Sequence, residues 1–398
     1  MAEGKITEMK GAVKTSIICQ LLLLALFSQA SAGAQQEENP LAVIERSFQA
    51  IGGKQELARI RNLRALADCT GPKGRYTTEI HSASDSRLIF RQVRQAGGSF
   101  VGQTNGNLFW TKDAASNEFS IADKNAAFAW RSHEFQWLMI ALLERFREPS
   151  FVGRENFAGQ NALKLSAKDE LGRPAHLFFS KESGLLLGVT ILNPFSRQPE
   201  LIRTVFNEWK QVGKVKLPSK VTVTDKQGDF VLNFQDISTN SIDENIFSVP
   251  AKVSAMNELL ELHHQGRAAH FNRDAKLLVS TFADDFTDVG NGRINKPTRE
   301  KSVSRMQRYF DNSTFLEWDD ITPPVIKVSD DATMGYVIVH KKVRLIARTE
   351  TGRSQEETEV FAWVAIYRKL NGQWKLTLVA STRTPEEEAT GAAPSSAQ

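Results

Sequence analysis

Three histidines close together, His263, His264 and His270, are the first residues of this 398-residue chain with an evident capacity for chemistry. Imidazoles are common metal ligands. Their spacing argues against that use. The surrounding residues repeat apolar side chains at helical intervals, and on a helix positions 263 and 270 stand about 10.5 Å apart along the axis. A zinc ion holds its ligand atoms at about 2 Å, and His264 points to another face. A structural or surface role is expected, with no metal and no cofactor. His133-Glu134-Phe135-Gln136-Trp137 opens like a zinc-protease helix but carries Trp where the second His must stand. The chain has no Gly-x-Ser-x-Gly elbow, no Ser-x-x-Lys, no phosphate-cradling glycine loop and no Cys-x-x-Cys. Contact with a small molecule is better served by aromatic side chains. Phe282, Phe286, Tyr309, Trp318, Phe361 and Trp363 are the candidates for lining a pocket, with plain core as the competing reading at each. Trp318 stands out because Glu317, Asp319 and Asp320 around it suit a strand edge or a pocket mouth.

The elements that must position these residues fall into two domains, as the length suggests. The composition, 41% hydrophobic and 24% charged, is that of a folded chain. Fifty Lys and Arg against forty-six Asp and Glu leave a formal charge of +4, which gives no reason to expect a nucleic-acid partner. Lys5, Lys10 and Lys14 precede an apolar run from Ile17 to Phe27, and Ala30-Ser31-Ala32 follows. Residues 1–32 therefore read as a signal peptide, and the mature protein as periplasmic or secreted, with no transmembrane segment after cleavage. Cleavage removes Cys19 and leaves Cys69, expected to be a buried, inert thiol.

From Pro40 the spacing of Leu41, Ile44, Phe48 and Ile51 predicts a helix closed by Gly52-Gly53. The period then becomes two. Turn signals at Gly97-Gly98, Asn105-Gly106, Glu170-Leu171-Gly172, Glu182-Ser183-Gly184 and Gln227-Gly228-Asp229 separate short strands of an antiparallel meander. Leu185 to Leu192 is apolar at nearly every position, so both faces of that part of the sheet should be covered. One helix, Asp123 to Arg147, is expected to interrupt the meander and to be buried on most sides. The second domain opens with helices around Met256 to His263, Ala275 to Phe286 and Pro297 to Tyr309, and Asp284-Asp285-Phe286 reads as a helix exit. Strands near 316–328, 333–348, 357–370 and 374–382 follow, the last two joined by Asn371-Gly372. The fold class is α+β.

Ala50-Ile51-Gly52-Gly53, the meander, Trp209 to Pro218 and Ile242 to Pro250 make residues 38–250 resemble the LolA/LolB-like periplasmic lipoprotein carriers. That resemblance implies an incomplete antiparallel β-barrel with a helical lid and an apolar concave face that takes acyl chains. Ala283-Asp284-Asp285-Phe286, Phe361-Ala362-Trp363 and Gly372-Gln373-Trp374-Lys375-Leu376 make residues 255–384 resemble the SnoaL-like branch of the nuclear transport factor 2 superfamily. Its members are cone-shaped domains in which a bent antiparallel sheet wraps helices around a pocket and often dimerises. Residues 385–398 read as a disordered tail. The resemblance implies that an enzyme built on this cone would use a buried Asp or His base beside a Tyr. Asp285, Asp288, Tyr309, Tyr336 and His340 could supply such groups, with Asp285, Tyr309 and His340 the catalytic candidates. The first expectation is an exported, non-enzymatic binding protein for an apolar or lipid-like small molecule, with a second pocket or a homodimer interface in its C-terminal sheet. The alternative is an isomerase, cyclase or hydratase.

Overall fold

The computed structural model describes residues 38–348 and 352–384. The expected signal peptide, Cys19 and the expected tail lie outside the described residues. Helix α1 (Pro40–Ala50) starts where Asn39 accepts a hydrogen bond from the Leu41 N–H, with proline in the first turn. Val43, Ile44 and Phe48 form its buried stripe. Gly52 ends it at φ 126°, where a Cβ would stand 2.7 Å from the Lys214 carbonyl oxygen; only glycine fits there. A short α2 (Lys54–Leu57) follows.

The meander consists of β1 (Asn62–Gly71), β2 (Gly74–Ala83), β3 (Arg87–Arg94), β4 (Ser99–Asn105), β5 (Phe109–Asp113) and β6 (Phe119–Ile121), then β7 (Arg147–Phe157), β8 (Gln160–Lys168), β9 (Pro174–Ser180), β10 (Leu186–Leu192), β11 (Leu201–Val212), β12 (Val215–Asp225) and β13 (Gly228–Thr239). Their order in the sheet is β6-β5-β4-β3-β2-β1-β13-β12-β11-β10-β9-β8-β7, so the end strands β6 and β7 are not neighbours and the sheet is open. The single helix expected from Asp123 to Arg147 is instead three short ones: α3 (Lys124–Arg131), α4 (Phe135–Leu138) and α5 (Leu142–Arg145). The first stops because the Ser132 hydroxyl and His133 Nδ1 both bond the Ala129 carbonyl oxygen, at 2.7 and 2.8 Å, in place of a continuing backbone ladder.

The chain divides into two compact units. One holds residues 38–59 and 138–231. In its β8 to β11, Leu163, Leu165, Leu177, Phe179 and Phe206 are buried on one face. On the other, Phe157, Ala162, Phe178, Leu187 and Val205 form a separate cluster. The rings of Phe157 and Phe178 stack at 4.0 Å, and the Arg203 guanidinium lies 4.4 Å from the Phe157 centroid. Both faces are covered, as the unbroken apolar runs require. At Leu165, Phe179, Leu217 and Val221 the accessible surface is 0%, so these positions are packed against protein atoms.

The other unit holds residues 60–137 and 232–384. Its β1 is tied to β13 by Arg64, which bonds Asp236 at 2.6 Å and Glu79 at 2.9 Å. Beyond a 3₁₀ turn (Glu244–Phe247) come α6 (Ala251–Asn272), α7 (Ala275–Ser280), β14 (Phe282–Gly290), β15 (Arg293–Asn295), α8 (Arg299–Asp311), β16 (Ser313–Val328), β17 (Met334–Arg348), β18 (Ser354–Leu370) and β19 (Gln373–Arg383). This second sheet has the order β15-β14-β19-β18-β17-β16, antiparallel except for β14 beside β19. Asp284-Asp285-Phe286 is not a helix exit: α7 ends at Ser280, and the three residues belong to β14, the two aspartates exposed and Phe286 buried. Helix α8 begins at Arg299 with Thr298 as its N-cap, so Pro297 lies just outside its first turn. Asn371 and Gly372, at φ 50° and 78°, make the turn between β18 and β19. Phe119 and Ile121 of β6 pack against the apolar core around Met256 and Leu259, and Glu118 pairs with Lys327 at 2.8 Å.

Candidate functional site

In the second sheet β17 lies between β18 and the edge strand β16, and its period-two alternation sorts the candidate residues. Val337, Val339, Lys341, Val343 and Leu345 point to the core, whereas Tyr336, Ile338 and His340 are exposed on the outer face. Lys341 is thus an ammonium on an apolar face, and it is 1% exposed.

The folded chain supplies its partners. Asp320 lies directly opposite on β16, its Oδ1 2.8 Å from Lys341 Nζ. The other carboxylate oxygen accepts from His263 Nε2 of α6 at 2.9 Å. Lys341 Nζ stands 3.6 Å from the Trp318 ring centroid and 6.0 Å from that of Trp363, a cation–π arrangement. His270 stacks on Trp318 at 4.4 Å and donates from Nδ1 to the Gly266 carbonyl oxygen at 2.7 Å. Burial lowers the Lys341 ammonium below the usual lysine range, against the opposing pull of Asp320. For Asp320, burial acts upward, but the hydrogen bonds from His263 and Lys341 outweigh it and hold the carboxyl below its ordinary value. Burial brings His270 down to about 4, so it is neutral near pH 7. The network joins α6, β16 and β17, with the Lys341 amine committed to its own neighbours.

Beside this network a cavity of about 850 Å³ is walled by α8, β17, β18 and β19. Its apolar wall includes Met306, Tyr309, Val343, Leu345 and Phe361, and its charged residues include Arg308, Arg348, Glu357 and Glu359. The volume suits one small molecule, within the range of about 300–1,000 Å³ usual for ligand sites. Burial, with Glu359 and Glu357 nearby, pushes the Tyr309 phenol up to about 12. It therefore remains a hydrogen-bond donor at neutral pH.

Of the six aromatic candidates, the structure places Tyr309 and Phe361 in this cavity wall. Trp318 is buried in the aromatic cluster with Phe310 and Phe315, and half-buried Trp363 packs beside it with ring centroids 5.9 Å apart. Phe282 and Phe286 sit in the core with their centroids 4.2 Å apart, outside the wall of this cavity. The three catalytic candidates are not brought together. Asp285 is exposed and paired with Arg368 at 2.6 Å, and His340 lies on the outer face, opposite to the side that carries Lys341. Tyr309 alone faces the cavity. His263 and His264 have ring centroids 6.1 Å apart and opposite exposures, His264 being in solvent. Among the described residues no group of three or more His, Cys, Asp or Glu side chains could hold a metal ion. Cys69 is buried, 3.5 Å from the Thr78 hydroxyl, and burial pushes its thiol up to about 11. Sequence reasoning missed Lys341. The signal was present in the alternation Val337, Val339, Lys341, Val343, which puts the lysine on the core side of its strand.

No family model and no curated protein matches the chain. Solved structures do. A DUF1329 family protein from Desulfovibrio piger is 11% identical, with TM-score 0.39, over 53% of this chain and 98% of that one. A LolA superfamily protein from Nitrosomonas europaea is 10% identical, with TM-score 0.39 and the same coverage. An NTF2-like protein of unknown function in nutrient uptake from Rhodospirillum rubrum is 19% identical, with TM-score 0.27, over 32% of this chain and 98% of that one. The likeness is to two separate kinds of fold, LolA-like for about half the chain and NTF2-like for another portion. Among the described residues no helix is long and apolar enough to cross a membrane.

Proposed function

We propose that the protein is an exported, non-enzymatic binding protein for an apolar or lipid-like small molecule, periplasmic or secreted, and that the cavity beneath α8 is a ligand site. The observation that carries this reading is the cavity's combination of one-ligand volume and an aromatic and aliphatic wall. The N-terminal signal pattern supports export. The doubly apolar strands β8 to β10 support a second apolar site in the first sheet, although the packed positions Leu165 and Phe179 would have to yield to admit an acyl chain. Tyr309 shares the cavity with Glu357 and Glu359, the phenol beside a carboxylate that an isomerase, cyclase or hydratase would need. Glu357 is exposed and Glu359 is paired with Arg383 at 3.2 Å, so neither is a buried base, and binding is the reading we retain. Native mass spectrometry of the full chain purified from its own compartment should find a copurifying apolar molecule. Ligand-free protein that also ignores fluorescent fatty acids would overturn the proposal.

The outer face of the second sheet supports a homodimer. Val325, Tyr336 and Ile338 are each more than 40% exposed, Met334 lies beside them at the strand end, and half-buried Val364 and Ile366 continue the patch on β18. Contiguous apolar surface of this kind on a soluble domain marks an interaction site, and a second copy is the proposed occupant. Light scattering at micromolar concentration should give twice the chain mass for wild type and the chain mass for Ile338→Asp. A monomeric wild type would remove the dimer from the proposal.

A further inference from the structure

The charges in the cavity wall are not balanced. Four arginines and two glutamates line it. Arg305 is held by Asp288 at 2.8 Å, and Arg383 by Glu359 at 3.2 Å. That leaves Arg308 and Arg348, which have no carboxylate partner among the described residues, with Glu357 the single acid left over. Asn312 links the main chain at the two arginines, and both residues line the same cavity. The Asn312 side chain donates to the Arg308 carbonyl oxygen at 2.9 Å, and its own main-chain carbonyl oxygen accepts from the Arg348 N–H at 2.8 Å. Both arginines are exposed, and they line the cavity together with its apolar residues.

We propose that the ligand of this cavity is an organic anion with an apolar body, its acidic group held by Arg308 and Arg348 and its body against Met306, Tyr309, Val343, Leu345 and Phe361. The inference rests on the reading of the cavity as a binding site and names the ligand class that site selects. Guanidinium groups are suited to it: their planar fork donates two parallel hydrogen bonds to a carboxylate, sulfonate or phosphate. The Tyr309 hydroxyl, protonated throughout the neutral range, is a further donor. Glu357 is exposed, and one carboxylate against two guanidinium groups lowers the positive charge of the wall without reversing it.

Two dyes that differ by one group test the proposal on the full mature chain. Anilinonaphthalene sulfonate carries an anionic sulfonate, and N-phenyl-naphthylamine has the same apolar body without it. Fluorescence titration should show the sulfonate binding at least tenfold more tightly. Arg308→Gln with Arg348→Gln should remove most of that preference and leave the affinity for the neutral dye within about twofold. Arg308→Lys with Arg348→Lys, which keeps the charge but not the fork, should fall between. Ser381→Trp fills the cavity from a half-buried wall position, and circular dichroism checks its fold. If Ser381→Trp abolishes binding of both dyes while the arginine variants change nothing, the cavity is a ligand site and the anion preference is overturned. If Ser381→Trp leaves both dyes bound as before, the cavity reading itself falls, and this inference with it.

Discussion

Lys341→Met should lower the unfolding free energy by about 3–5 kcal/mol, the usual cost of removing one partner from a buried ion pair. The substitution keeps nearly the same length and volume, so the loss comes from electrostatics more than from a cavity. It strands Asp320, whose carboxylate keeps only the hydrogen bond from His263, and it removes the ammonium from the Trp318 face. Asp320 keeps part of its hydration, with its side chain 24% exposed, which places the expected value toward the lower end of the range. Adding Asp320→Asn to Lys341→Met should cost less than Asp320→Asn does in the wild type, because the charge it removes has already lost its cation. Urea unfolding of the four proteins gives the comparison as a double-mutant cycle, with coupling on the order of 1–3 kcal/mol expected. Additive effects, or a loss below about 1 kcal/mol for Lys341→Met, would mean that the ammonium is not confined by Asp320 and Trp318.

For Phe179→Ala in β9, a loss of about 3–5 kcal/mol is expected from the transfer and cavity costs of truncating a fully buried phenylalanine. Phe179 has 0% accessible surface and faces Leu163 and Leu186 in register across its two neighbouring strands. The result bears on more than stability. If this face is a solid core, the variant loses the full amount, and added fatty acid restores none of it. If it is a wall that opens for an acyl chain, the loss should be small, and ligand should return it by mass action. Thermal and urea unfolding with and without a fluorescent fatty acid separate the two. A large loss with no recovery would confine ligand binding to the cavity of the second unit.

Much of the fold was legible because two periodicities and a few turn residues carry it. The change from helical spacing at Leu41 to Ile51 to alternation in the meander marks where α1 gives way to strands, and Asn371-Gly372 sits in the turn its positive φ angles require. The interruption after α3 was not legible. Nothing in the apolar stripe from Phe128 to Phe146 shows that Ser132 and His133 take the Ala129 carbonyl for themselves. The site was legible only in part. Tyr309 and Phe361 line the cavity, but Phe282 and Phe286 went to the core, since an aromatic residue on an inward strand position looks the same in sequence whether it meets space or another ring.

Sequence by itself determined that this is an α+β chain with a long meander, a second helix-then-strand region and no nucleophile elbow, Ser-x-x-Lys, phosphate loop or Cys-x-x-Cys, because those properties depend on local spacing and residue type. Tertiary structure decided which charges are enclosed. Lys341 and Asp320 stand 21 positions apart along the chain, and His263 is 57 from Asp320. Only strand register and the placement of α6 bring the three within hydrogen-bond reach, where loss of hydration makes each dependent on the others. In the same way, Arg308 and Arg348, 40 positions apart, come to line one cavity and are linked at the main chain through Asn312. The reason is physical: burial and pairing belong to the space around a residue, and the chain acquires that space only when distant segments pack.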